Sequence, residues 1–155
     1  MKRGPAVFLQ TAIIFVGIAV FAFLLWEPTI EGRNAHATLF EIYFEDTFLA
    51  CAYIASIPFF ASLYLAFKLL GRAGRNEVVS SQSLRDLRAI KYCMIVIIGF
   101  VAAGEATLFM VVRGEDDIAG GVAMGILVAS LTGAIAVAAA VFERVLQNRM
   151  SLERQ

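Results

Sequence analysis

Four apolar runs, each at least twenty residues long, constrain this chain more than any other feature of its sequence. They cover about residues 6–26, 48–70, 90–112 and 119–142. About twenty residues of α-helix cross the roughly 30 Å hydrocarbon core of a bilayer. A segment in hydrocarbon must satisfy its own backbone hydrogen bonds, and runs this long are unsuited to barrel strands. The sequence therefore predicts an all-α fold, a bundle of four transmembrane helices.

The composition indicates one membrane domain over residues 1–155, with the lipid bilayer as its surroundings. Hydrophobic residues make up 60% of the chain and charged residues 17%, whereas soluble domains are about half apolar and a quarter charged. The formal net charge is zero, so no basic excess indicates direct binding of nucleic acid. The length allows one compact bundle and no second domain.

The basic residues predict the orientation of the four spans. Eleven of the thirteen Lys and Arg residues fall on one side of the predicted membrane, and only Arg33 and Arg113 fall on the other. Cytoplasmic loops carry such an excess of Lys and Arg. We therefore expect both termini and the connection between the second and third spans to be cytoplasmic.

Small residues recur in the fourth span at a spacing of four. Gly121, Gly125, Ala129 and Gly133 form this stripe. Small side chains at such a spacing let helix backbones approach closely in lipid. We expect the stripe to pack against the first or third helix, and homo-oligomerisation through it is the alternative.

The connection between the second and third spans contains an amphipathic segment. Ser80 is a suitable N-cap for a helix that continues into the third span. Arg85, Arg88 and Lys91 lie on its more polar side. Contact with anionic lipid headgroups is one interpretation of these bases, and a docking surface for a cytoplasmic partner is the other.

The central stretch carries a family resemblance. The sequence "LAFKLLGRAGRNEVVSSQSLRDLRAIKYCMIVI", with "EDD" at 115–117 and "AVFERVLQN" at 140–148, resembles the small bacterial membrane proteins of domain-of-unknown-function family 2975. The resemblance implies a four-helix protein of the bacterial cytoplasmic membrane with no established activity. Many members are encoded beside a small helix-turn-helix regulator, which implies a regulatory partner. Ala119 departs from the pattern, since a proline is common there in the family.

Residues that carry chemistry are scarce in this chain. The single histidine, His36, excludes a bis-histidine haem within one chain, and neither a phosphate-binding loop nor a CxxC motif is present. We therefore expect no enzymatic activity and no cofactor. Glu115, Asp116 and Asp117 form an acidic turn. They suit either a solvated rim on the outer side or a site for a hard cation.

Glu105 is the exceptional residue of the third span. It lies seven residues inside Val112, about 10 Å deep at 1.5 Å per residue. A carboxylate on lipid is costly, so we expect the side chain to turn into the bundle, where Tyr53 and Ser56 are candidate donors. A polar clasp between helices and a proton or cation relay are the two interpretations.

These observations favour a non-enzymatic sensor or regulatory partner that binds a cytoplasmic protein. The alternative is a small transporter or channel component that uses Glu105. The two hypotheses differ in where they place function, because the first uses the cytoplasmic bases and the second uses the intramembrane carboxylate.

Overall fold

The computed structural model describes residues 3–30, 47–111 and 118–152, and these residues form four α-helices. They are α1 (Arg3–Ile30), α2 (Thr47–Gly74), α3 (Ser81–Val111) and α4 (Ile118–Leu152). Every helix contains a stretch that is long and apolar enough to cross a membrane. The predicted all-α fold with four membrane-spanning helices is therefore confirmed.

The helices pack in chain order, α1 on α2, α2 on α3 and α3 on α4. Gln10 Nε2 near the start of α1 donates a hydrogen bond to the Phe67 carbonyl near the end of α2, at 3.0 Å. A Cβ atom on Gly74 would come within 2.9 Å of the Ala6 side chain. The first turns of α1 therefore lie beside the last turns of α2.

Residues 75–80, which connect α2 to α3, mark one end of the bundle, called here the connector end. The start of α1 and the last turns of α4 lie at this same end. Ser80 caps α3, since its Oγ accepts a hydrogen bond from the Ser83 amide at 3.2 Å. The predicted N-cap is thus confirmed. That the connector end faces the cytoplasm stays a prediction from the charge distribution.

The best-packed part of the bundle lies where α2, α3 and α4 meet. Ile90, Met94 and Ile97 of α3 and Ala139 of α4 are buried together, with Phe59 of α2 packed against them. Most other large apolar side chains are exposed. The exposed share of Phe8 is 74%, as is appropriate for helices that face lipid tails.

The buried face of α4 differs from the predicted stripe of small residues. Gly125, Thr132, Ala139 and Leu146 are buried at intervals of seven. A four-residue repeat drifts about 40° round an α-helix at each step, whereas a seven-residue repeat drifts about 20°. Gly133 consequently lies outside this face, and a Cβ atom there would meet no atom of the described residues within 4 Å.

The other two residues of the stripe, Ala129 and Gly121, also differ in how far they are buried. Ala129 is half-buried next to the buried face, and Gly121 is exposed although it lines a cavity beside Gly125. The prediction that the fourth helix packs against the first or third is resolved in favour of α3. Within the described residues of the chain, a close helix contact forms at Gly125 and not at Gly133, and contact of the stripe with a second copy stays a prediction.

Candidate functional site

An apolar cavity lies between α2, α3 and α4 in the half of the bundle away from the connector end. Its volume is about 380 Å³. The lining residues come from all three helices: Cys51, Ala52, Ala55, Phe100, Val101, Gly104, Glu105, Gly121, Met124, Gly125 and Val128. Glu105 contributes the carboxylate of this lining. We call this space the Glu105 cavity.

The Glu105 side chain points towards α4. A Cβ atom on Gly125 would overlap the Glu105 carboxyl group, at 2.6 Å from Cδ. Only glycine at position 125 leaves room for the carboxylate in this place. Oε2 of Glu105 is buried and has no hydrogen-bond partner among the residues that the structure describes. The side chain turns into the bundle, as the cost of a carboxylate in lipid predicts.

The predicted donors to Glu105 point elsewhere. Tyr53 donates its hydroxyl hydrogen to the Leu24 carbonyl of α1, and Ser56 donates to the Tyr53 carbonyl at 2.6 Å. Ala52 and Ala55 line the Glu105 cavity, and one further residue turns about 100° round the helix. Tyr53 and Ser56 therefore face α1, where they line a separate cavity of about 360 Å³.

A second polar cluster joins α3 to α4 at the connector end. Glu143 accepts hydrogen bonds from Arg88 Nε at 3.0 Å and from Lys91 Nζ at 2.6 Å. The Glu143 side chain is 9% exposed, whereas that of Arg88 is 46% exposed. Two of the three bases predicted to contact lipid or a partner thus hold a carboxylate of the same chain. We call these three residues the Glu143 clasp.

A third cluster joins the end of α2 to the start of α3. Arg72 Nη1 lies 2.7 Å from Asp86 Oδ2 as an ion pair, and both side chains are largely buried. Gln82 donates to Asp86 Oδ1 at 3.0 Å, and the fully buried Ser83 accepts a hydrogen bond from Arg72. These contacts fix the angle at which α3 leaves the connector.

Arg85 remains exposed at the connector end. Its Nη2 donates a hydrogen bond to Gln82 Oε1 of its own helix at 2.7 Å. A groove of about 420 Å³ lies nearby, between the first turn of α3 and the last turns of α4. Its lining consists of Ser81, Leu84, Gln147, Met150 and Ser151. We call this the connector groove.

The acidic turn predicted as a rim or cation site, Glu115, Asp116 and Asp117, lies outside the described residues. Within residues 3–30, 47–111 and 118–152, no group of three or more His, Cys, Asp or Glu residues is placed to hold a metal ion.

Sequence reasoning missed Glu143 and Asp86 as buried acids. The signal for Glu143 was present in the sequence, because Arg88 and Lys91 are one turn apart on α3 and Glu143 follows the apolar run of α4. Antiparallel helices joined by a short connection bring those two levels together. The contact of Glu143 with Arg88 and Lys91 could be predicted only if α3, rather than α1, was taken as the helix that packs against α4.

The four long apolar helices define a multi-pass helical membrane protein. Three of these helices surround the Glu105 carboxylate. The chain belongs to the family described as "Protein of unknown function (DUF2975)", whose profile matches residues 10–154. It is 30% identical over 156 residues to the "Uncharacterized membrane protein YoaS" of Bacillus subtilis (strain 168), and the match covers 100% of this chain and 97% of the relative. No solved structure matches the chain.

Proposed function

We propose that this protein is a non-enzymatic membrane sensor that binds a small ligand in the Glu105 cavity and engages a cytoplasmic regulatory protein. The observation that carries the proposal is the buried Oε2 of Glu105, which has no hydrogen-bond partner in the described part of the chain and lies in an apolar cavity. Glu105 lies within the apolar stretch Ser81–Thr107. An ionisable side chain within the membrane is costly, and such residues mark functional sites.

The packing on the connector side of the cavity supports a binding site rather than an open pore. Val101 lines the Glu105 cavity and also packs against the buried cluster of Ile90, Met94, Ile97 and Ala139. These side chains fill the space between the cavity and the connector end. On the side that faces the connector end, a ligand in the cavity therefore contacts packed side chains.

The interface between α3 and α4 is the route by which occupancy of the cavity reaches the connector end. Glu105 and Lys91 are fourteen residues apart on α3, which corresponds to about 21 Å of helix. A ligand that shifts α3 against α4 at Gly125 also shifts the Glu143 clasp, because both contacts belong to the same pair of helices. Packed interfaces of this kind have discrete arrangements whose populations a ligand changes.

The connector end supplies the surface for the partner. Arg85 is exposed and is not part of the Glu143 clasp, and the connector groove offers Leu84 and Met150 as apolar contacts. The excess of Lys and Arg at this end supports its placement in the cytoplasm. The partner class comes from the family resemblance, which implies a small helix-turn-helix regulator.

Crosslinking and capture from native membranes tests the partner surface. We expect Arg85→Glu to reduce recovery of the cytoplasmic partner by about tenfold, which corresponds to about 1.4 kcal/mol of binding free energy. Arg149→Glu is the matched control, because it makes the same charge change on an exposed residue of α4 at the same end. Equal recovery with both variants would contradict the proposal.

A second candidate function is a small proton-coupled transporter or channel component, and the unpartnered Glu105 oxygen favours it as well. Proteoliposomes loaded with a pH-sensitive dye separate the two functions. A transporter moves protons after an imposed gradient and loses the flux in Glu105→Gln, whereas a sensor produces no flux with either chain.

A further inference from the structure

We infer that the Glu105 cavity binds a monovalent organic ammonium ion with an apolar body. The inference rests on the proposed function in one respect, since both place a ligand in this cavity. The Glu105 carboxylate is the charged group of the cavity lining, and the described side chains around it carry no positive charge. A cationic ligand supplies the missing partner as a charge-assisted hydrogen bond.

The composition of the lining does not suit Ca²⁺ or Mg²⁺ as this cation. Ca²⁺ takes six to eight oxygen ligands and Mg²⁺ requires about six in octahedral geometry. The side chains that line the cavity offer two oxygens, both from Glu105, among alanine, glycine, valine, phenylalanine, methionine and cysteine. A single ammonium group needs one carboxylate and tolerates apolar surroundings for the rest of the molecule.

The size and walls of the cavity fit a small organic molecule. Its volume of about 380 Å³ lies at the lower end of the range for organic ligands, about 300–1,000 Å³. Phe100 and Met124 line the same space, and both side-chain types suit an apolar cation, since aromatic faces attract cations and thioethers pack adaptably. Gly125 makes room for the carboxylate that the ammonium group contacts.

Cys51 serves as a reporter inside the cavity. It is a free thiol of α2 that lines the Glu105 cavity, whereas Cys93, the other free thiol, packs against the core cluster. In a full-length Cys93→Ala chain in detergent micelles, N-ethylmaleimide then reports on Cys51 alone. The probes are 4-phenylbutylammonium and the neutral 4-phenylbutanol, which share an apolar body and differ in charge.

We expect 4-phenylbutylammonium to slow labelling of Cys51 by about tenfold or more, and 4-phenylbutanol at the same concentration to leave the rate unchanged. Glu105→Gln should abolish the protection, measured as the ratio of the labelling rates of that variant without and with 4-phenylbutylammonium. Gly133→Ala should keep the protection, because position 133 faces open space.

Three results would overturn the inference. If the alcohol protects Cys51 from labelling as well as the ammonium ion does, the cavity does not select a cation. If neither compound protects Cys51, the cavity does not bind this class of ammonium ion. Protection that survives in Glu105→Gln places the amine elsewhere and has the same consequence. The capture experiment with Arg85→Glu uses no amine, so it reports on the proposed function separately.

Discussion

Lys91 Nζ on α3 lies 2.6 Å from Glu143 Oε2 on α4. Arg88 Nε lies 3.0 Å from the other oxygen of the same carboxylate, and the Glu143 side chain is 9% exposed. The two cations compensate the charge of the buried Glu143 carboxylate. The contact stabilises the antiparallel pairing of α3 and α4 at the connector end.

We predict that Lys91 and Glu143 couple energetically. A double-mutant cycle with Lys91→Ala and Glu143→Ala should give about 1–3 kcal/mol of coupling, because removal of either partner leaves the other group in a largely buried site. The free energy of unfolding by SDS titration in mixed micelles measures it.

The exposed pair Arg75 and Glu77 is the matched control for this cycle. Its atoms are 3.1 Å apart, but each side chain is 61% exposed. We expect about 0.2–1 kcal/mol of coupling there, as is usual for surface pairs. A coupling at Glu143 no larger than that of the control would show that the clasp does not stabilise the fold.

A second prediction concerns the buried ion pair between α2 and α3. Asp86→Asn keeps the size of the side chain but removes the charge that Arg72 faces at 2.7 Å. We expect a loss of about 1–3 kcal/mol in the free energy of unfolding, because the Arg72 guanidinium stays largely buried without its counter-charge. Glu77→Gln, an equivalent change on an exposed residue, should alter it by less than about 0.5 kcal/mol.

The third prediction uses two glycines of α4. Gly125→Ala forces the Glu105 carboxyl group out of its place, whereas the new methyl group of Gly133→Ala meets no described neighbour within 4 Å. We expect Gly125→Ala to destabilise the protein and Gly133→Ala to be neutral or stabilising by up to about 1 kcal/mol, since alanine is the better helix former.

The Glu105→Ala background makes this comparison sharper. There the overlapping carboxyl atoms are absent, so Gly125→Ala should lose its cost and behave like Gly133→Ala. An unchanged cost of Gly125→Ala in that background would show that Glu105 is not what position 125 accommodates.

The fourth prediction concerns sidedness. Reporter tags at residues 1, 76 and 155 should all be cytoplasmic, and a tag near residue 34 should be external, because the sequence assigns eleven of the thirteen bases to one side of the predicted membrane. The structure places the start of α1 and the last turns of α4 at the same end as residues 75–80. A cytoplasmic reading from residue 34 would contradict the orientation.

The sequence was sufficient for the helices because the bilayer imposes their length. Runs of about twenty apolar residues have few structural alternatives in hydrocarbon, and the cap at Ser80 depends on residues within one turn. Local chemistry of this kind can be predicted without knowledge of neighbouring helices.

The site could be predicted only in part, because its contacts depend on how each helix is rotated about its axis. Their depth in the membrane predicts Tyr53 and Ser56 at the level of Glu105. In the structure, however, both side chains face α1 and not Glu105. A repeat of four drifts out of an interface that follows a repeat of seven, so the described part of the chain forms no close helix contact at Gly133. The inward turn of Glu105 followed from its cost in lipid.

The most direct test of an unpartnered carboxylate in a membrane-embedded cavity is its reaction with an apolar carbodiimide. Dicyclohexylcarbodiimide partitions into micelles and reacts with carboxyl groups in apolar surroundings, and mass spectrometry of peptides locates the adduct. We expect an adduct on Glu105 and none on Glu143, whose carboxylate is held by Arg88 and Lys91. Prior addition of 4-phenylbutylammonium should suppress it. An unmodified Glu105, or equal modification of Glu105 and Glu143, would contradict the cavity as a ligand site.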